Sequence, residues 1–218
     1  MRLVVFDVDG TLIDSQALIH HAMSEAFEGE GLAALPKAQV LSIVGLSLPV
    51  AVARLVPDLP GDMQGRIVEG YKRAFMAGRK AQPAPLYPGA RACLDRLGAR
   101  DDLMLAVATG KSRRGLNAMI AHHGLEHRFL SLQTADGHPS KPHPAMLQAA
   151  MSECGAEPAR TVMIGDTSFD MEMARGAGAT GLGVAWGYHD SEMLWQAGAS
   201  RIAPDFAELE RMIEEWAA

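Results

Sequence analysis

Short apolar segments alternate with amphipathic segments over most of the chain. Runs rich in Val, Ile, Leu and Ala predict β-strands at Leu3–Val8, Leu103–Ala108, Phe129–Gln133, Thr161–Ile164, Thr180–Val184 and Arg201–Ala203. Helical spacing of apolar residues predicts intervening helices at Gly89–Leu97, Ser112–His123, Pro144–Cys154, Phe169–Ala177, Ser191–Ala197 and Asp205–Trp216. Strands that are apolar on both faces and joined through helices are typical of parallel sheets. The sequence therefore predicts an α/β fold with a doubly wound parallel sheet.

Residues 15–82 interrupt this alternation. They show helical periodicity only, in pieces separated by glycine and proline, and they follow the first predicted strand directly. The proline-rich segment Gln82–Pro85 is stiff enough to return the chain to the sheet. We predict a core of residues 1–14 and 83–218, and a small helical cap of residues 15–82 over the end of the first strand.

The balance of charge limits the partners of the chain. With 218 residues and a formal net charge of −6, it has no long track of Lys and Arg for nucleic acid. An anionic small molecule would have to be met by a metal ion or a placed lysine. The two cysteines, Cys93 and Cys154, form no CxxC pair, so no zinc or redox motif is visible. The first strand begins too close to Met1 for a signal peptide or membrane span, and we expect a cytoplasmic monomer or homodimer with no membrane partner.

Two carboxylates follow the first apolar run, in the sequence DVDGT. Asp7 and Asp9 lie at the carboxyl end of a buried strand, where burying them without a purpose is costly. A calcium loop is excluded, because its sixth and twelfth positions would be Leu12 and Leu18 instead of Gly and Glu. A plain Asp-Gly turn is the structural alternative. A nucleophilic Asp7 with Asp9 as general acid and base would suit attack on phosphorus.

Polar residues also follow the second and third predicted strands. Thr109 and Gly110 lie where a strand leads into a helix, a turn that presents N–H groups to an anion, although a simple helix cap is the alternative. The triplet Gly110-Lys111-Ser112 suggests a nucleotide-binding P-loop, but that motif is excluded because Leu105 stands where it needs Gly. Lys141 lies between prolines after the third strand, and we interpret it as a cation for a phosphoryl group instead of a surface lysine.

Asp166 and Asp170 follow the fourth predicted strand. Each has a structural alternative, since Asp166 could cap the next helix and Asp170 would favour its first turn. Magnesium prefers oxygen ligands and commonly takes one or two carboxylates with substrate phosphate. We therefore predict a Mg²⁺ site with Asp7 and Asp166 as ligands. Asp170 would support these ligands without binding the ion directly. Because ligands of doubly wound sheets bind outside the carboxyl ends of the strands, we expect all four segments to meet at one edge.

Together, the four segments resemble the motifs of the haloacid dehalogenase superfamily. Its phosphatase members carry DxDGT, a strand-terminal Thr or Ser, a Lys and GDx₃D, and all four occur here in that order. The helical stretch is similar to the cap of subfamily IA, which contains the phosphoglycolate phosphatases. The resemblance implies a Rossmann-like core and Mg²⁺-dependent hydrolysis of a small phosphorylated metabolite, with phosphoglycolate as the first candidate.

The resemblance also implies a role for each matching residue. Asp7 would form an aspartyl-phosphate, and Asp9 would be the general acid and base. Thr109 and Gly110 would hold phosphoryl oxygens, while Lys141 would steady the nucleophile and the developing charge. The metal ligands that it implies are Asp7, the Asp9 backbone carbonyl, Asp166 and, in support, Asp170.

Other activities stay open. Dehalogenases and members that cleave phosphonoacetaldehyde generally lack an acid at the position of Asp9, which favours hydrolysis of a phosphate ester or anhydride. β-Phosphoglucomutases typically place an arginine just after a Gly-x-Ser turn of the cap, where Gly45, Leu46 and Ser47 are followed here by Leu48. The alternatives are an inorganic pyrophosphatase, a phosphotransferase of the mutase kind, and a non-catalytic phosphate-binding regulatory module. The intact acid pair argues against the last.

The turn Gly45–Ser47 is our candidate for a substrate loop of the cap, and an ordinary helix–helix connection is its alternative. A cap that closes over the site would exclude water and select the substrate. We interpret the aromatic residues Trp186, Tyr188 and Trp195 as core or edge packing.

Overall fold

The computed structural model describes residues 1–218 and contains one parallel β-sheet of six strands. Its strands are β1 (Arg2–Phe6), β2 (Leu103–Thr109), β3 (Ser131–Thr134), β4 (Thr161–Gly165), β5 (Thr180–Val184) and β6 (Arg201–Ala203). The spatial order is β3-β2-β1-β4-β5-β6, and every neighbouring pair is parallel. This order is that of a doubly wound, Rossmann-like sheet. The predicted fold class is therefore confirmed.

Ten α-helices accompany the sheet. Four follow β1 as an insertion, namely α1 (Gln16–Glu28), α2 (Lys37–Leu41), α3 (Leu48–Leu55) and α4 (Gly61–Ala81). The others are α5 (Ala90–Gly98), α6 (Arg113–His123), α7 (Ala145–Cys154), α8 (Ser168–Gly176), α9 (Ser191–Ala197) and α10 (Phe206–Ala217). None of these helices is both long enough and apolar enough to cross a membrane.

The strands are buried on both faces because their side chains alternate between two hydrophobic clusters. In β1, Val4 and Phe6 belong to a cluster of 26 buried residues that includes side chains of α5, α6 and α10. Leu3 and Val5 point to the opposite face, into a cluster of 13 residues with side chains of α7 and α8. The period of two along the strand distributes an unbroken apolar run between two helical layers.

The inserted helices have a hydrophobic core of their own. A third cluster of 14 buried residues is built almost entirely from α1 to α4 and their loops. Its one contribution from the sheet domain is Phe169 of α8, over whose ring the Arg54 guanidinium lies at 5.4 Å from the centroid. The inserted helices therefore form a helical cap after β1 that is packed as a unit and joined to the core through Phe169.

Two local features differ from the sequence expectations. Strand β3 begins at Ser131, two residues later than predicted, because Leu130 is 64% exposed instead of being part of a buried strand. Trp195 is 49% exposed on α9, so it is a surface residue and not a packing residue.

Candidate active site

The sheet brings Asp7 and Asp166 to the point where the strand order reverses. β1 pairs with β2 on one side and β4 on the other, so the crossovers on the two sides run in opposite directions. Asp7 directly follows β1, and Asp166 directly follows β4. A switch point of this kind opens a crevice at the carboxyl ends of the strands, where doubly wound proteins bind ligands.

Three carboxylates meet at this point. One carboxylate oxygen from each of Asp7, Asp166 and Asp170 lies within 4.8 Å of the others, and all three side chains are buried. Neither oxygen of Asp7 has a hydrogen-bond partner. Burial raises the pKa of Asp7 to about 6, against the opposing charge of Lys141 and with that of Asp170 adding to the rise. Asp7 is thus a buried carboxylate whose Oδ2 has no partner in the chain.

Asp166 is fixed by one side-chain donor and one backbone donor. Its Oδ1 accepts a hydrogen bond from the Thr11 hydroxyl at 2.8 Å, and its Oδ2 accepts one from the Tyr188 N–H at 2.9 Å. Burial raises its pKa well above the usual value, with a further rise from Asp170. Gly10 makes this approach possible, because its φ is +85° and a Cβ there would lie 2.2 Å from Asp166 Oδ2. The glycine of DVDGT is therefore required by Asp166 of the fourth segment.

Asp170 and Lys141 form the other half of the cluster. Asp170 Oδ1 accepts from Lys141 Nζ at 2.6 Å, and its Oδ2 accepts from the Thr167 hydroxyl at 2.7 Å in the capping box of α8. Lys141 Nζ also lies 3.0 Å from Asp7 Oδ1. Burial alone lowers the pKa of Lys141, but the charges of Asp170 and Asp7 raise it overall, so the side chain stays an ammonium ion. Both oxygens of Asp170 are committed to the chain.

The cluster fits a divalent cation. When ionised, Asp7, Asp166 and Asp170 carry three negative charges, and Lys141 supplies the one positive charge among them. Buried charges without partners are strongly unfavourable, and a divalent cation would balance the remaining two. Oδ2 of Asp7 and the remaining lone pairs of Asp166 are available to such an ion, whereas Asp170 holds Lys141 and the turn.

Asp9 lies beside this cluster in a separate set of contacts. Lys111 Nζ donates to both of its oxygens, at 2.8 Å and 2.7 Å, and the Ser15 hydroxyl donates to Oδ1 at 2.6 Å. Ser15 is in turn 2.8 Å from the Tyr188 hydroxyl. The ammonium of Lys111 also lies 5.0 Å from the ring centroid of Phe75 in the cap. The second carboxylate of the motif is therefore positioned by residues of both core and cap.

The end of β2 contributes an oxygen and a turn. Thr109 is 1% exposed, and its hydroxyl oxygen accepts from the Lys111 N–H at 3.2 Å, which leaves the hydroxyl proton free for a ligand. Gly110 packs against the cap, since a Cβ on it would lie 2.4 Å from the carbonyl oxygen of Gly45. No larger residue fits at this position without moving the cap.

The cap turn Gly45–Ser47 lies directly on the core. The Ser47 N–H donates to the Ser140 hydroxyl at 2.8 Å, one residue before Lys141. All three residues of the turn line a cavity of about 560 Å³ between cap and core, and Asp7, Asp9, Thr109 and Gly110 lie at its wall. The structure thus brings the sequence-predicted residues to one place, with Lys141, Asp166 and Asp170 buried next to Asp7.

Several residues of the site were missed by sequence reasoning. Lys111, Ser15 and Tyr188 surround Asp9, yet Lys111 was considered only as part of a P-loop and Tyr188 was assigned to packing. His189 was not singled out, although it joins core and cap by accepting from the Ser168 N–H at 3.1 Å and lying 3.1 Å from the Ser42 carbonyl. For Lys111 a signal existed, because it lies two residues after Thr109 at the same sheet edge.

These features define a class of hydrolase. A family model described as haloacid dehalogenase-like hydrolase matches residues 4–184, most of the chain. The chain therefore belongs to the haloacid dehalogenase-like hydrolase family, as the sequence motifs predict.

Similar proteins narrow the class further. "Probable phosphatase IndB" of Dickeya dadantii is 34% identical over 211 residues, with 95% of this chain and 91% of that protein covered. A phosphoglycolate phosphatase of Rhodospirillum rubrum is 30% identical over 216 residues, with 95% and 89% covered. A solved structure of a hydrolase from Pseudomonas syringae matches all of both chains with a TM-score of 0.89 and 27% identity. The protein is accordingly a phosphatase of this family, similar to the phosphoglycolate phosphatases.

Proposed function

We propose that the protein hydrolyses a small phosphomonoester in a Mg²⁺-dependent reaction that passes through an aspartyl-phosphate on Asp7. The observation that carries this proposal is the state of Asp7, a buried carboxylate that lines a cavity and whose one close polar contact is the ion pair of Oδ1 with Lys141. A buried carboxylate whose other oxygen has no partner is costly unless it binds or reacts. Phosphoglycolate is the first substrate to test, because relatives are named for it.

In the first step, Asp7 attacks phosphorus as the nucleophile. The bond from Asp7 to phosphorus forms while the ester bond to the leaving oxygen breaks, and Asp9 gives its proton to that oxygen. The hydroxyl of Thr109 and the N–H of Gly110 face the phosphoryl oxygens, and Lys141 balances their charge. The alcohol leaves through the cavity.

In the second step, Asp9 acts as a base. It takes a proton from water, whose oxygen attacks phosphorus as the bond to Asp7 breaks, and inorganic phosphate is released. Lys111 and Ser15 hold the Asp9 carboxylate towards this position, so we regard them as positioning residues. Asp7 returns to its starting form.

Magnesium would be held by Asp7 and Asp166, with the Asp9 carbonyl as a further oxygen and Asp170 in support. When bound, it would neutralise charge on the phosphoryl group and bring phosphate and nucleophile together. The residues of the chain bind and orient the substrate and transfer the protons.

The test is phosphate release from a panel of phosphomonoesters and pyrophosphate, with Mg²⁺ and with excess chelator. We expect release that requires Mg²⁺ and that falls to background in Asp7→Asn, while the exposed cap substitution Asp58→Asn leaves it unchanged. Release that persists in Asp7→Asn would exclude Asp7 as the nucleophile. A preference for pyrophosphate would show that the substrate is a phosphate anhydride instead of an ester. If no compound releases phosphate, the non-catalytic regulatory module would be favoured.

A further inference from the structure

The cavity between cap and core extends well beyond the reacting groups. Its volume is about 560 Å³, within the range of roughly 300–1,000 Å³ of pockets that hold drug-sized ligands. Its apolar walls come from α1, the turn before α3, and α4, and they include Ile19, Met23, Ile43, Leu46, Phe75 and Met76. Asp7 and Asp9 also line it.

This volume belongs to an arrangement in which the cap already contacts the core. The hydrogen bond of Ser47 to Ser140, the approach of Gly45 to Gly110 and the packing of Phe75 on Lys111 all cross the boundary. The space is therefore not a gap left by a cap standing away from the core.

A short leaving group would leave most of this space empty. One water needs only about 10–15 Å³ of volume measured in this way, so about 560 Å³ is far more than a few atoms fill. Glycolate would occupy only the part next to Asp9. An apolar wall increases the affinity for a ligand only where it contacts apolar surface of that ligand. A wall that the ligand does not reach therefore contributes nothing to the choice of substrate.

The aromatic part of the wall favours a particular ligand shape. The rings of Tyr71 and Phe75 are stacked, with centroids 5.6 Å apart and planes 25° apart, and both line the cavity. Burial raises the pKa of Tyr71, with a further rise from the charge of Asp9, so the phenol stays neutral. A neutral phenol without a partner in the chain is a donor for a ligand. Because Phe75 already contacts Tyr71 and Lys111, the pair offers an aromatic wall with one hydroxyl donor, which suits a flat ring that carries a hydrogen-bond acceptor.

The charges argue against a second carboxylate close to phosphorus. Lys141 is bound to Asp170 and Asp7, and Lys111 is bound to both oxygens of Asp9, so neither ammonium is free. The other charged residues of the lining are exposed or half-buried and of both signs, namely Glu69, Lys72, Arg73, Arg79, Arg114 and Asp136. No unpaired buried cation is left for the carboxylate of a short acid.

We propose that the leaving alcohol is a ring-bearing molecule of about nucleoside size, whose ring packs against Tyr71 and Phe75. The substrate class is then a nucleoside monophosphate or a similarly sized ring-bearing phosphomonoester, instead of phosphoglycolate. This proposal rests on the proposed function, since it takes Asp7 as the end of the cavity that holds the phosphoryl group.

The first experiment compares kcat/KM for uridine monophosphate, adenosine monophosphate and phosphoglycolate at saturating Mg²⁺. We expect one of the nucleotides to exceed phosphoglycolate by about tenfold or more, a margin that apolar contact can supply. Met76→Trp, which fills the cavity, should lower that ratio by about tenfold, while Met193→Trp on the exposed side of α9 should not change it. Higher kcat/KM for phosphoglycolate, with equal losses for all substrates in Met76→Trp, would overturn the proposal.

Binding separates this proposal from the proposed function. In the Asp7→Asn variant with Mg²⁺, calorimetry should give tighter binding of a nucleotide than of phosphoglycolate, and Tyr71→Phe should weaken the nucleotide only. If no compound is hydrolysed by the unsubstituted protein but this order of binding holds, the proposed function fails and the cavity assignment stands. If phosphoglycolate is hydrolysed and the nucleotides bind no better than it does, the cavity assignment fails and the proposed function stands.

Discussion

Individual residues of the site are governed by the balance of buried charge. Lys141 has a fully buried side chain that contacts Asp170 at 2.6 Å and Asp7 at 3.0 Å. Removing one partner of a buried ion pair leaves the other without compensation, which costs more than the pair itself contributes. The same reasoning applies at Asp9, where one lysine meets both carboxylate oxygens.

Lys141→Met should destabilise the protein by about 3–5 kcal/mol, because Asp170 and Asp7 would remain buried without their cation. The measurement is urea unfolding without added metal. Lys80→Met, at an exposed position near the end of α4, should cost under about 0.5 kcal/mol. Equal stability of the two variants would mean that the buried carboxylates are already protonated and need no cation.

Lys111→Met should lower kcat by up to about 10²-fold, since Asp9 would lose the donor that fixes both of its oxygens. Steady-state kinetics on the best substrate of the panel gives the comparison. The control is Lys72→Met, which removes an exposed lysine of the same cavity and leaves Asp9 untouched. An unchanged kcat in Lys111→Met would show that Ser15 suffices to place Asp9.

At the scale of elements, the sheet edge and the cap turn meet through backbone and not through long side chains. Gly110 of the β2–α6 turn lies against the carbonyl groups of Gly45 and Leu46. A Cβ built on Gly110 would lie 2.4 Å from the carbonyl oxygen of Gly45 and 2.7 Å from that of Leu46. Contacts this short do not occur for real Cβ atoms, so glycine is required for the cap turn to reach the core.

Gly110→Ala should therefore displace the cap turn and lower kcat/KM by about tenfold or more. Hydrogen exchange of the Ser47 amide, which donates to Ser140, should become faster in the variant. Gly137→Ala is the matched control, because nothing lies within 4 Å of a Cβ built there. If hydrogen exchange at Ser47 is unchanged while activity falls, the substitution disturbs binding of the phosphoryl group and does not displace the cap.

At the scale of the whole molecule, His189 joins the two packed units. Its Nδ1 accepts from the Ser168 N–H of α8, so the neutral ring carries its proton on Nε2, which donates to the Ser42 carbonyl of the cap. Burial lowers the pKa of His189, although the contact with Ser42 opposes the shift. A proton on Nδ1 would remove the bond to Ser168.

The contribution of His189 to stability should therefore fall as the pH is lowered below 6.5, the ordinary pKa of histidine, because the unfolded chain binds a proton there that the folded chain does not. The raised pKa values of Asp7 and Asp166 act in the opposite direction, so the test compares variants and not the total change. Between about pH 7.5 and about pH 5.5, the free energy of unfolding of His189→Gln should change in a more favourable direction than that of the unsubstituted protein. His127→Asn, at an exposed position, should behave like the unsubstituted protein, and the same pH dependence in His189→Gln would exclude a contribution from His189.

The sequence by itself determined the layers and the polar strand ends. Apolar runs such as Val4 to Phe6 can be buried on both faces only in a covered parallel sheet, and the carboxyl ends of such strands converge at one edge. This local pattern predicts the doubly wound fold and the helical cap, whereas the family is predicted by the resemblance of the four motifs. The boundaries of the cap at residues 14/15 and 82/83 and the roles of Asp7 and Asp9 stay predictions.

Only the tertiary structure decided which residues surround the acids and what space lies above them. Lys111 reaches Asp9 from beyond β2, and Tyr188, from beyond β5, reaches the Ser15 hydroxyl that donates to Asp9, a meeting that only the folded chain brings about. The cavity is a property of two packed units, because its lining comes from the cap and from the loops at the carboxyl ends of the strands. Local periodicity specifies elements, whereas a volume between them depends on how their side chains pack.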